Sequence, residues 1–521
     1  MIRHKPEDRT VTTNRINQTG KFVPLSASPI PAIALSGRAF CKSVLIFTAT
    51  FALYFFTRSP GLDEWDSVQF AMGVRSFDIW HHHPHPPGYP LFILFGWLAQ
   101  HLFGVGPILS LHFASAAGGA ALVAVWFLIV RAQFTERLGW WVSVCLALTP
   151  AIWMTSTKVL TDTPAAAFLS AEILTAIYYR QRRDLGTLLA TSLLGAIAVG
   201  IRPQLILTAL MVLAAALKKD QVKSWLIALS SFIAASLFWV IPTSYLQAQI
   251  NKSVPVWRVY FDLAYSQWIW RLDKPATYLG AGDWSPKYLA TRFAYHIPGW
   301  FGLGFGFLES ISVLVVGIGI AAFGILSYLF SRREVADRHF WRFHAPWSLV
   351  YVAIIFVCLP PAPRYYLIIF PLLLVALLRG FLRQRAPWNI TAIIVPAFLI
   401  WVVTPLAIEN HREEAPPVRL VEYLERLYPP AIRGRVVLLL RPAIRQAQWY
   451  APQFNIPDPV PPPDELREIT KNAVAIYTDD PRIPLPNDWH RLLLVRFKRP
   501  LVVYQKNNII SLFLIIRENQ P

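Results

Sequence analysis

Residues 66–92 read "DSVQFAMGVRSFDIWHHHPHPPGYPLF" and follow closely on the first long apolar run of the chain, with Asp63 and Glu64 just ahead of them. Acids, four histidines and four prolines are concentrated here, in a sequence that is otherwise strongly apolar. Such a segment after a first apolar span reads as an outer loop with chemistry to perform, provided the chain is a membrane protein.

Composition supports that condition. The 521 residues are 55% hydrophobic, 14% aromatic and 15% charged, against roughly 25% charged in ordinary soluble domains. The net charge of +19 is not a nucleic-acid footprint, because the basic residues fall in short clusters between apolar runs, as membrane topology demands. The three cysteines (Cys41, Cys145, Cys358) lie in or beside apolar runs and supply neither a disulfide framework nor a CxxC pair. Residues 1–42 are polar and basic without a cleavable-signal pattern, so they read as a cytoplasmic tail before an uncleaved anchor.

A membrane helix needs about 20 mostly apolar residues. That rule predicts eleven spans, at 43–58, 108–130, 139–156, 163–179, 187–201, 204–217, 224–242, 305–330, 346–360, 367–380 and 388–407. With the N-terminus inside, every short cytoplasmic turn is basic: Arg131 and Arg137; Arg180, Arg182 and Arg183; Lys218, Lys219 and Lys223; Arg332 and Arg333; Arg379, Arg383 and Arg385. This orientation requires the apolar segment 89–104 to lie in the interface rather than cross. The two outer loops are then 59–107 and 243–304. The second is basic (Lys252, Arg258, Arg271, Lys274, Lys287, Arg292), against the usual charge rule, as befits a loop that holds an anion. Its "VWRVYFDLAYSQWIWRL" suits stacking on sugar rings or an interfacial helix. Residues 408–521 change character. "VEYLERLYP" reads as a helix, and "RVVLLL", "AVAIYTD", "LLLVRF", "LVVYQ" and "IISLFLIIRE" as strands, which predicts a small mixed α/β domain on the outer side. The expected fold is therefore a polytopic α-helical membrane protein with a small C-terminal α/β extracytoplasmic domain.

Charges near membrane spans are expensive and mark function by default. On this topology they gather at the outer boundary. Asp63, Glu64 and Asp66 follow the first span; Lys158 and Asp162 stand in "STKVLTDTP"; Arg202 stands in "GIRPQ" and Arg364 in "PPAPRYY". A carboxylate there can take a proton from an acceptor hydroxyl or amine, and arginines can grip a phosphate bidentately. Together they suit transfer of a group from a lipid phosphate to an acceptor. Asp162 also suits a helix N-cap, and Arg202 and Arg364 also suit snorkelling to head groups. The histidines leave two readings open. One is a divalent metal ion, with His81 and His83 as candidate ligands; the other is a structural or substrate-facing role, with His85 foremost and Tyr89 beside it in "HPPGYP".

The set resembles the GT-C superfamily of membrane glycosyltransferases, in particular its protein O-mannosyltransferase and aminoarabinose transferase branches. "DSVQFA" is similar to that family's D-x-x-x-aromatic-A after the first span, "HPPGYPLF" to the end of its first outer loop, and "LTDTPAAAFL", "GIRPQL" and "PRYYLIIFPLLL" to its later turns. The resemblance spans roughly residues 43–380. It implies a polyprenyl-phosphate sugar donor, inverting transfer on the outer face, and a first-loop aspartate as base, either Asp66 or, through the "DE" pair, Asp63. It further implies phosphate contacts from Arg202 and Arg364. The acceptor, whether protein, lipid or glycan, stays open, and the short loops and absence of cysteines outside point to a bacterial inner membrane. The competing class is a transporter or flippase of a lipid-linked or anionic substrate, which paired half-repeats with interrupted helices would favour; the sequence has no such repeat.

Overall fold

The computed structural model describes residues 36–218, 220–264, 285–287, 290, 311–330, 334–358, 363–382, 391–499 and 509–517. Helices dominate as far as residue 412. They are α1 (Gly37–Phe56), α2 (Trp65–Arg75), α3 (Pro90–Phe103), α4 (Pro107–Gln133), α5 (Glu136–Leu148), α6 (Pro150–Ser156), α7 (Asp162–Arg182) and α8 (Leu185–Ile201). They continue with α9 (Ile206–Leu217), α10 (Val222–Ile250), α11 (Val259–Ala264), α12 (Ile311–Phe330), α13 (Val335–Cys358), α14 (Phe370–Leu382) and α15 (Thr391–Arg412). Among the described residues, four helical stretches are long and apolar enough to cross a membrane: Gly37–Phe56, Pro107–Gln133, Val222–Ile250 and Ile393–Leu427. The α5–α6 pair adds a fifth if its 59° bend is taken within one span. That bend follows from the sequence, because Thr149 precedes Pro150 and takes an extended backbone (ψ 121°) in place of a helical one.

Small residues set the close approaches of the bundle. In α4, a Cβ on Gly118 would stand 2.4 Å from the Pro164 nitrogen of α7, and one on Gly119 would stand 2.0 Å from the Ser156 hydroxyl of α6. These contacts bring backbones together as small-residue motifs do in membranes. Phe51 and Phe55 near the end of α1 meet Phe113 near the start of α4, with ring centroids 5.1 and 6.2 Å apart. The intervening helix α3 packs beside the same ends, with Phe95 stacked on Phe113 at 6.4 Å and Trp97, Leu102 and Phe103 exposed. Described members of the basic clusters lie at the opposite end, where Arg131 pairs with Glu136 at 3.5 Å, Arg379 with Asp337 at 2.6 Å, and Arg183 with Asp220.

Residues 416–517 fold as α16 (Pro416–Leu427), α17 (Pro430–Arg433), β1 (Val436–Leu439), α18 (Ile444–Tyr450), α19 (Pro463–Ile469), β2 (Ala475–Thr478), β3 (Trp489–Lys498) and β4 (Ile509–Arg517). The sheet order is β1-β2-β4-β3, with β1 and β2 parallel and the other pairs antiparallel. β1 is apolar at every position because both faces are covered: Val436 and Leu438 join a core with Leu420, Leu424 and Leu512, while Val437 and Leu439 join one with Leu466 and Ile476.

The helix and four of the five strand segments expected here are present; "LVVYQ" lies outside the described residues. α10 runs on to Ile250, so the second outer loop starts later than expected. Of that loop's basic residues, Lys252, Arg258 and Lys287 are described, with Arg258 paired to Asp262 at 2.9 Å; Arg271, Lys274 and Arg292 lie outside the described residues.

Candidate active site

The segment after α1 is tied down before it reaches its acids. The Ser59 amide donates to the Thr157 carbonyl at 3.0 Å, and the Ser67 hydroxyl donates to the Val159 carbonyl at 2.8 Å. The segment 59–67 thus lies along the turn between α6 and α7. Glu64 forms the N-cap of α2 and Asp66 stands in its first turn, where the helix dipole favours a negative charge.

The acids then part company. Asp63 is sealed: its carboxylate accepts from Arg499 Nη1 at 2.8 Å, both side chains are fully buried, and Lys158 Nζ lies 3.6 Å away. Lys158 also reaches Glu64 at 3.4 Å. Arg364 Nη2 donates to Asp66 Oδ2 at 2.9 Å, and Arg364 Nη1 lies 3.9 Å from Glu64. The Asp66 side chain keeps 30% of its surface exposed and that of Glu64 keeps 25%, whereas Asp63 keeps none. A substrate can reach Asp66 and Glu64 but not Asp63. Arg364 Nη1 is buried and makes no hydrogen bond among the described residues, so it has donor capacity in reserve.

The second arginine belongs to the turn between α8 and α9. Arg202 Nη1 pairs with Asp162 at 2.7 Å and donates to Thr161 Oγ1 at 3.2 Å. Arg202 and Arg364 each place a guanidinium carbon 5.2 Å from the centre of the Tyr365 ring, so the tyrosine holds the two cations apart and in register. Its hydroxyl accepts from Arg364 Nη2 at 3.1 Å.

On the other flank, His85 Nδ1 stands 4.0 Å from Asp66 Oδ1 and His85 Nε2 stands 2.9 Å from the Tyr89 hydroxyl. Tyr89 sits in the left-handed region (φ 48°) directly after Gly88 (φ 102°), so "HPPGYP" forms a tight turn into α3. Gln247 of α10 fixes the preceding segment by accepting from the Ile79 amide at 2.9 Å and donating to the Phe77 carbonyl at 3.1 Å. Burial opposes ionisation of Asp66, but His85, Arg364 and Arg202 together outweigh it and hold the carboxyl below the usual carboxylate range. Burial pushes the His85 imidazole down to about 4, against the pull of Asp66, so it is neutral near pH 7.

Nine of the residues singled out from sequence therefore meet at one end of the bundle: Asp63, Glu64, Asp66, His85, Tyr89, Lys158, Asp162, Arg202 and Arg364. His81 and His83 do not join them. His81 is exposed and bonds Asp78 at 2.6 Å, and among the described residues no three His, Cys, Asp or Glu side chains converge as a metal site. Among the described residues the carboxylates of this end face Lys158, Arg202, Arg364 and Arg499. Sequence reasoning missed Arg499, Tyr365 and Gln204. The last two stand inside motifs it had quoted, "PRYY" and "GIRPQL"; Arg499 carries no local signal.

Residues 82–245 match the family described as dolichyl-phosphate-mannose-protein mannosyltransferase. ArnT from Cupriavidus metallidurans bound to undecaprenyl phosphate shares the fold with a TM-score of 0.53 at 12% identity, over 91% of this chain and 97% of that one. Its apo form aligns with a TM-score of 0.50 at 13% identity, over 91% and 98%. The Archaeoglobus fulgidus oligosaccharyltransferase tethered with an acceptor peptide aligns at 0.47 and 12% identity, over 84% and 69%. No curated protein matches the sequence significantly. At 12–13% identity the likeness to ArnT is one of fold, and the mannosyltransferase family model matches residues 82–245 of the 521.

Proposed function

We propose that this protein transfers a sugar from a polyprenyl-phosphate donor to an acceptor on a protein, lipid or glycan, at the outer face of a bacterial inner membrane. The observation that carries this reading is the Asp66–Arg364 pair, whose Asp66 side chain keeps 30% of its surface exposed. In the proposed reaction Asp66 takes the proton of the acceptor hydroxyl or amine. The acceptor atom attacks the anomeric carbon from the face opposite the phosphate, the bond from that carbon to the phosphate oxygen breaks, and the electron pair leaves with polyprenyl phosphate. One displacement inverts the centre. Retention would call for a nucleophilic carboxylate and a second step.

Arg364 receives the developing phosphate charge, with Lys158 and the Arg202–Asp162 pair behind it. Asp63, which sequence left open as the base, is assigned a supporting role, because Arg499 and Lys158 enclose it. Glu64 holds Lys158 toward the site. His85 and Tyr89 flank Asp66 and are assigned to its side of the reaction rather than to the phosphate.

The test uses the purified protein in lipid and a panel of radiolabelled polyprenyl-phosphate sugars, following release of polyprenyl phosphate. Turnover of at least one donor is expected. Failure with every donor and acceptor class, by protein shown to be folded, would contradict the reading.

A further inference from the structure

The turn 84–89 carries a chain of hydrogen bonds whose direction is set by the chemistry of its ends. Gln204 Nε2, an amide nitrogen that only donates, lies 3.1 Å from the Tyr89 hydroxyl oxygen. That oxygen accepts from Gln204, which leaves its own proton to be donated to His85 Nε2, 2.9 Å away. Nε2 is then the acceptor of the imidazole, and in the neutral ring the proton must sit on Nδ1. Nδ1 is the atom that faces Asp66 Oδ1 at 4.0 Å; it is buried and makes no other hydrogen bond among the described residues. The ring is held in this attitude by Phe70 and Tyr89, at centroid distances of 5.6 and 4.9 Å. Gln204 lies in the short helical turn Pro203–Leu205, next to Arg202.

We propose that Gln204, Tyr89 and His85 form a positioning chain that fixes His85 as its Nδ1–H tautomer and presents that N–H to the Asp66 carboxylate. The inference rests on the reading of Asp66 as the base. Arg364 holds Oδ2 at 2.9 Å, and the imidazole N–H faces Oδ1 from 4.0 Å as a nearby dipole, so that Oδ1 is the oxygen that takes the acceptor proton. An imidazole whose Nδ1 already bears hydrogen cannot collect that proton in turn. His85 is therefore a positioning residue and not a second base, and Asp66 returns its proton to solvent after product leaves.

Two measurements test this. The first labels the histidine ring nitrogens with 15N in the full-length protein in lipid, and identifies His85 by difference from His85→Asn. The Nδ1–H tautomer is expected, and an Nε2–H spectrum overturns the proposal whatever the enzyme does. The second compares kinetics. Tyr89→Phe removes one neutral hydrogen bond of about 1–1.5 kcal/mol and is expected to lower kcat about tenfold with KM unchanged. His85→Asn, whose amide N–H overlays Nδ1, is expected to recover most of what His85→Ala loses, whereas His85→Gln is not. Equal losses in the Asn and Gln variants, or an unchanged kcat in Tyr89→Phe, overturn it. Turnover by Asp66→Asn would instead overturn the base assignment and leave the tautomer result standing.

Discussion

Asp63 and Asp66 are three residues apart and chemically identical, and their surroundings divide them. One is enclosed by two cations; the other bonds one arginine and keeps 30% of its side chain exposed. A base works only when ionised, so activity is present above its pKa and is lost as pH falls through it. Arg364 and its neighbours hold Asp66 below the usual carboxylate range, so the acid limb of kcat/KM should lie at lower pH than a free aspartate would give. Arg364→Met removes one of the lowering charges. It should move that limb to higher pH and reduce kcat/KM by about 10²–10³, as loss of a charge-stabilising donor does; an unmoved limb in a full pH profile would argue against the pairing. That these acids and arginines matter was legible in the sequence, because charges beside apolar spans are costly to keep. Which acid is open was not legible, since exposure depends on Lys158 and Arg499, from segments far along the chain.

The turns that deliver these side chains depend on how closely the helices approach. Gly118 admits the Pro164 backbone of α7, and α7 begins at Asp162. Gly118→Ala should force α4 and α7 apart and lower stability by about 1–3 kcal/mol, as overpacking does. A thermal unfolding scan in detergent would show it as a reduced Tm, and an unchanged Tm would mean that the contact is looser than described. The apolar runs follow from composition and could be read in advance; the Thr149-Pro150 break was passed over, because the span expected at 139–156 is apolar on both sides of it and runs straight through. The α4–α7 approach could not be read, because "ASAAGGAAL" (114–122) does not say which helix its small residues will meet.

The two parts of the molecule are joined by a buried ion pair between residues 436 positions apart, Asp63 and Arg499. Gln446 of α18 adds donations to the Leu62 and Asp63 carbonyls at 3.3 Å, and Tyr450 accepts from the Leu62 amide at 2.9 Å. Removing one partner of a buried pair leaves an uncompensated charge, at a cost of about 3–5 kcal/mol. Arg499→Met should therefore lower Tm sharply, and the double change Asp63→Asn with Arg499→Met should recover most of the loss, since Lys158 keeps Glu64. Equal Tm values for the single and double variants would show that the pair does not couple the parts. The helix and strands of the C-terminal part were readable from apolar patterning and proline-rich turns. Its attachment was not, because an arginine at a strand end looks like any surface charge until the fold brings it to Asp63.

The most direct measurement compares Asp66→Asn with Asp63→Asn for release of polyprenyl phosphate from a turned-over donor, at matched amounts of folded protein. Asp66→Asn should lose about 10²-fold or more in kcat while keeping its Tm. Asp63→Asn should lose stability and keep turnover within about tenfold of wild type. Retained turnover in Asp66→Asn together with its loss in folded Asp63→Asn would contradict the account.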